Sequence, residues 1–139
     1  MTETLSVIVE RELPYPPGKI WRALTQPQLI AEWLMKNDFS PVVGHRFNLS
    51  GDWGGVLDCE VLEIEPNKTL SYTWKFAHAN AAYNLQSVVT FTLTATRNGA
   101  HLRMEQKGFR PDQKQAHGGA KAGWRQFFAK LEQVLARAD

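Results

Sequence analysis

The stretch VVTFTLTATRNGAHLRMEQ, residues 88–106, decides the fold. Val89, Phe91, Leu93 and Ala95 alternate with Thr90, Thr92, Thr94 and Thr96, the period of two that marks a half-buried β-strand. Asn98-Gly99 follows as a hairpin signal. Leu102 and Met104 continue on the partner strand, with His101, Arg103 and Glu105 facing the other way. Gln106 falls in the inward register of Leu102 and Met104, a polar amide among apolar side chains.

Upstream, the same period reaches back to about Phe39. Leu70, Tyr72, Trp74 and Phe76 alternate with Ser71, Thr73 and Lys75. Leu57, Cys59 and Val61 form another set, whose phase then slips to Leu62 and Ile64. A one-residue slip inside a continuous strand predicts a β-bulge, and bulges bend sheets. Phe47 and Leu49 alternate in the same way, and Gly51-Asp52-Trp53-Gly54-Gly55 and Pro66-Asn67 read as turns. Residues 78–84 are small, polar and unpatterned; they read as a long hairpin connection, with a flap over a cavity as the alternative. Before this region, a strand on Val7 and Val9 ends at Pro14. Two short helices follow, one carrying Ile20, Trp21 and Leu24, the other opening at Pro27 and carrying Leu29, Ile30, Trp33 and Leu34.

Downstream, Trp124, Phe127, Phe128, Leu131, Val134 and Leu135 recur at helical spacing. They predict a helix from about residue 118 to 136, its start blurred by Gly118, Gly119 and Gly123. The order is strand, two helices, a run of strands, one long helix. A sheet with one apolar face needs a cover, and only the last helix is long enough. The expected class is therefore α+β: a curved antiparallel sheet of six to seven strands wrapped around a long C-terminal helix. Residues 1–139 are read as one domain, since that length leaves little for a second.

Composition narrows the function. Sixteen Lys and Arg against fourteen Asp and Glu leave a net charge of +2, with no basic cluster to hold nucleic acid. One cysteine, Cys59, cannot form an internal disulfide and reads as a buried, inert thiol. No leader peptide and no membrane-spanning run are read from the sequence, so a cytoplasmic location is expected. His45, His78, His101 and His117 lie far apart, so no metal and no cofactor are expected.

Pro17-x-x-x-Trp21-x-Ala23-Leu24-Thr25-x-Pro27, then Trp33 and Gly44-x-x-Phe47, resemble the START/birch-pollen-allergen (SRPBCC) superfamily. So do Glu63-Ile64-Glu65-Pro66-x-Lys68-x-Leu70-x-Tyr72-x-Trp74 and Gly118-x-x-x-x-Gly123-Trp124. Within it, the chain resembles the branch named for the activator of the ninety-kilodalton heat-shock protein's ATPase, from about Ser6 to Leu135. The resemblance implies the helix-grip fold. It also implies a superfamily that binds lipids, sterols, polyketides and plant hormones and includes cyclases and hydrolases. The branch's eukaryotic co-chaperone also depends on a separate N-terminal domain, which is expected to be absent here because the opening strand begins almost at Met1.

A curled sheet against a helix leaves a natural pocket. The expected function is binding a small hydrophobic molecule there, without catalytic machinery. The candidate lining is Trp33, Phe39, Phe47, Tyr72, Trp74, Phe91, Met104, Gln106, Trp124 and Phe128. Among these, Gln106 and Tyr72 supply polar handles, while Trp33 and Phe39 sit where a gate would be. The alternative for the same residues is a filled core. Two further functions stay open: a cyclase or hydrolase, for which no inward acid or base is found, and a chaperone-interaction module. A homodimer is also left open.

Overall fold

The computed structural model describes residues 4–52, 54–77, 79–80 and 84–137. Trp53, in the first turn noted above, and His78 and residues 81–83 of the long connection lie outside the described residues.

Strand β1 (Leu5–Leu13) is followed by helices α1 (Pro17–Thr25) and α2 (Pro27–Trp33). Six strands come next: β2 (Lys36–Asn37), β3 (Arg46–Ser50), β4 (Val56–Glu65), β5 (Thr69–Phe76), β6 (Leu85–Thr96) and β7 (Gly99–Phe109). Helix α3 (Lys114–Arg137) ends the described chain. All seven strands form one antiparallel sheet in the order β1-β7-β6-β5-β4-β3-β2. The fold is the expected helix grip. No helix among the described residues is long and apolar enough to cross a membrane.

Local chemistry explains the elements. Pro17 and Pro27 open α1 and α2 at positions where a missing N–H is harmless. Trp33 then locks the two together, its indole Nε1 donating to the Ala23 carbonyl at 2.8 Å. The predicted slip in β4 is a register shift between Val61 and Glu63. Val61 stays buried while Leu62, the bulged residue, is turned outward. At the β6–β7 hairpin the glycine is needed for a reason other than turn geometry. A Cβ on Gly99 would lie 2.0 Å from the Leu13 carbonyl oxygen, so β1 passes too close for any side chain.

Helix α3 begins four residues before its predicted start, at Lys114, and takes all three glycines into its interior. Its buried residues are Trp124, Phe128, Leu131, Val134 and Leu135, all from the middle of the helix onward. The N-terminal half is tied down by side chains instead. Gln113 Nε2 donates to the Asn84 carbonyl at 2.7 Å, and His117 Nε2 donates to the Ser6 carbonyl of β1 at 2.8 Å.

On the outer face, His101 of β7 stands between two carboxylates of β1. Its Nε2 lies 2.8 Å from Glu10 Oε1, and its Nδ1 bonds Glu12. The hydrogen bond to Glu10, then that to Glu12, holds the imidazole above its ordinary pKa of 6.5. A raised folded pKa means stability that is fully present below the unfolded value and lost as pH rises through the folded one. Denaturant melts of the native protein and His101→Gln should differ at about pH 5.5 and converge by about pH 9. A gap independent of pH would show that the cluster carries no charge-linked stability.

Candidate functional site

Most of the concave face is filled. Phe39 meets Phe47 edge-on at 5.1 Å between centroids, and Phe47 meets Tyr72 at 5.1 Å. Tyr72 continues to Phe91 at 6.0 Å, and Phe91 touches Trp33 and Trp124 at 6.2 and 5.9 Å. With Met104 and Phe128 these rings are buried and belong to one hydrophobic cluster. Burial, with nearby Cys59, lifts the Tyr72 phenol well above its ordinary value. Burial, followed by Asp58 and Asp38, pushes the Cys59 thiol up to about 12, which leaves it protonated and unreactive. Trp33 and Phe39, expected at a gate, are buried, at 1% and 4% exposed.

The filling stops where α3 passes from its second half to its first. There a cleft of about 420 Å³ opens between helix and sheet. Trp74 of β5, Leu85 of β6, and Gln106 and Phe109 of β7 form the sheet wall. The helix wall is Ala116, Gly119, Ala120 and Gly123, with Trp124 and Phe127 at its inner end. The small residues recur at i, i+3, i+4 and i+7, one stripe of the helix, and their small or absent side chains leave the space between this part of α3 and the sheet unfilled. A larger hollow of about 700 Å³ lies between Pro17 of α1 and the β4–β5 turn. None of the described residues in its walls is aromatic, which makes it the weaker candidate.

Three hydrogen bonds frame the cleft. Trp124 Nε1 donates to Gln106 Oε1 at 2.7 Å, and Gln106 Nε2 donates to Ser87 Oγ at 3.0 Å. Ser87 Oγ in turn donates to the Trp74 carbonyl at 2.8 Å. The chain joins α3, β7, β6 and β5 and fixes the Trp124 indole, whose centroid is 5.2 Å from that of Trp74. Gln106 is therefore not the free handle expected from its register: two of its four hydrogen-bonding positions are already used. One N–H and one lone pair remain.

Of the ten candidate residues, the structure places Trp74, Gln106 and Trp124 on the cleft. Trp33, Phe39, Phe47, Tyr72, Phe91, Met104 and Phe128 pack against one another beneath and beside it. Sequence reasoning missed Ser87, although it shares the inward parity of Val89 and Phe91 and was thus a second polar residue in the core register. It also missed Leu85, Phe109 and the small-residue stripe as parts of a wall. No Asp, Glu, His, Lys, Arg or Cys is among the described residues that line the cleft.

The family model for Activator of Hsp90 ATPase homolog 1-like proteins matches residues 14–136. The chain belongs to that family. Among solved structures, this family member is similar to protein MLL2253 from Mesorhizobium loti, with 71% identity and a TM-score of 0.95. The match covers 97% of this chain and 99% of that one. It is also similar to BH1534 from Bacillus halodurans, at 25% identity and a TM-score of 0.80 over 97% of this chain and 99% of that one. Protein CV1439 from Chromobacterium violaceum, at 22% identity, shares the fold with a TM-score of 0.76, over 96% of this chain and 99% of that one. Together with the helix grip, these place the family member in the SRPBCC superfamily. No protein of curated function matches the sequence significantly.

Proposed function

We propose that this protein binds a small hydrophobic molecule in the cleft between Trp74, Gln106 and Phe109 of the sheet and residues 116–127 of α3. The observation that carries the reading is the cleft's lining: aromatic rings and glycine or alanine backbone around one buried amide. A volume of about 420 Å³ lies within the range of small-molecule sites. The hydrogen-bonded frame holds the walls in place, which limits the ordering that binding must impose.

The cyclase or hydrolase reading is less well supported. Moving a proton in the transition state requires a titratable group within reach of the substrate, and the described lining offers none.

Thermal melts with a panel of sterols, fatty acids, flavonoids and polyketides test the proposal. A ligand bound at micromolar affinity and present at 100 times its Kd should add about 2.7 kcal/mol to the unfolding free energy and raise Tm accordingly. No stabilisation by any member of so varied a panel would contradict the proposal and favour a purely structural cleft.

A further inference from the structure

We propose that the exposed face of α3 docks an acidic helix of a partner protein, met along the line Lys114, Lys121 and Arg125. Helix α3 holds five of the chain's sixteen Lys and Arg but one of its fourteen Asp and Glu. It therefore carries a formal charge of +4, while the remaining residues together carry −2. In the sequence these cations stand singly; the helix brings three of them together. Lys114, Lys121 and Arg125 are all exposed and fall at i, i+7 and i+11. They form one line about 16 Å long, at 1.5 Å per residue.

This arrangement does not serve the helix itself. A solvated face stabilises a helix through opposite charges three or four residues apart. No Asp or Glu stands at that distance from any Lys or Arg of α3, and Lys121 and Arg125 are a like-charged i, i+4 pair. Lys114 opens the helix at the positive end of its dipole, in a first turn that holds no acidic residue. Nor does the rest of the fold neutralise the line. None of Lys114, Lys121 and Arg125 forms an ion pair with a described residue. Arg11 of β1 adds a fourth cation alongside, its Cζ 6.0 Å from the ring centre of Phe128, three residues on from Arg125. Glu10 and Glu12 of the same strand are turned to the other side of the sheet, where they hold His101.

Two observations point to a polypeptide rather than a lipid surface. A helix that adsorbs to lipid buries an apolar face there. Helix α3 turns its large apolar residues to the core, and none of them is exposed. Glu132 then continues the line at i+18, a charge that an anionic membrane repels and a partner's side chain can pair with. Carboxylates at the same seven- and four-residue spacings lie on one line of a helix, so an acidic helix meets all three cations at once.

The test uses a labelled alanine-based peptide of about 22 residues, long enough to hold a helix, with Glu at i, i+7, i+11 and i+18. That spacing reads alike in both directions along a helix. A control peptide has the same composition with its Glu spread around the helix, and phosphatidylglycerol vesicles form the lipid arm. Peptide binding to the full chain is read by fluorescence anisotropy, vesicle binding by co-sedimentation. At low salt the lined peptide should bind about ten-fold more tightly than the control, as three surface ion pairs allow. That advantage should vanish at about 1 M salt, where the screening length falls to about 3 Å. Lys121→Glu should cancel it too, yet melt at or slightly above the native temperature, because a like-charged pair becomes Glu–Arg at i, i+4. Lys130→Glu, on the opposite flank of the helix, should bind like the native protein.

Should Lys121→Glu disturb the fold, Lys121→Gln must still weaken the lined peptide by about three-fold. Equal binding of the two peptides, no binding of either, or the same loss with Lys130→Glu would overturn the proposal. Preferential binding of the vesicles would overturn it as well, by making the partner a lipid surface.

Discussion

Trp124→Ala is expected to lower the unfolding free energy by about 3–5 kcal/mol, the range for large aromatic truncations in cores. Trp124 is 2% exposed, and its ring meets Trp74, Phe91, Phe127 and Phe128. It is the residue through which α3 leaves the cleft and enters the core. Truncation removes those ring contacts and leaves Gln106 Oε1 without its donor. Guanidinium melts should show a lower midpoint at an unchanged slope, the sign of lost stability rather than an altered denatured state. A loss below about 1 kcal/mol would contradict a sheet that grips α3 through this ring.

Gln106→Leu carries the second large effect, and its sign is opposite to the one a free polar handle would give. An unbonded buried amide destabilises the fold, so replacing it with leucine would be neutral or favourable. Here the amide accepts from Trp124 and donates to Ser87, deep in the interior. The substitution orphans the indole N–H, while Ser87 keeps its bond to the Trp74 carbonyl. The expected loss is about 2–3 kcal/mol, most of it the desolvation of a buried donor left unpaired. A double-mutant cycle with Trp124→Phe should recover part of that loss, because the second change removes the orphan. Additive losses would mean that the bond contributes nothing specific.

Much of the fold was legible in the chain because its signals are local. Period-two alternation in β5, β6 and β7, the phase slip at Val61, and prolines at the starts of α1 and α2 each act within a few residues. The site was less legible, for two physical reasons. Aromatic residues on an inward register say that a ring is buried, not whether it touches another ring or a void. The seven candidates around Phe91 and Tyr72 could be separated from Trp74 and Trp124 only by packing in three dimensions. The second reason is a register change at the end of β7. Gly108, with φ +124°, is an extra residue there: Leu5 pairs with Phe109, while Ser6 pairs with Lys107. This returns Phe109 to the inward face, where strict alternation from Gln106 would turn it out. The glycines of α3 misled in the other direction. Their low helix propensity suggested a late helix start, whereas the helix absorbs them to make room beneath it.

The central claim is that ligand occupies the cleft under the first half of α3. A titration of isotope-labelled protein with flavone, followed by two-dimensional amide and indole NMR, tests it most directly. Three of the four described tryptophans report on different places: Trp124 and Trp74 on the cleft, Trp33 in the core against Phe91. The account predicts that the Trp124 and Trp74 indole signals, the Gln106 side-chain amide and the backbone amides of residues 116–123 shift together and saturate. The Trp33 indole should stay in place. Shifts centred on Thr92–Ala95 and the β4–β5 turn, with those cleft signals unmoved, would contradict it.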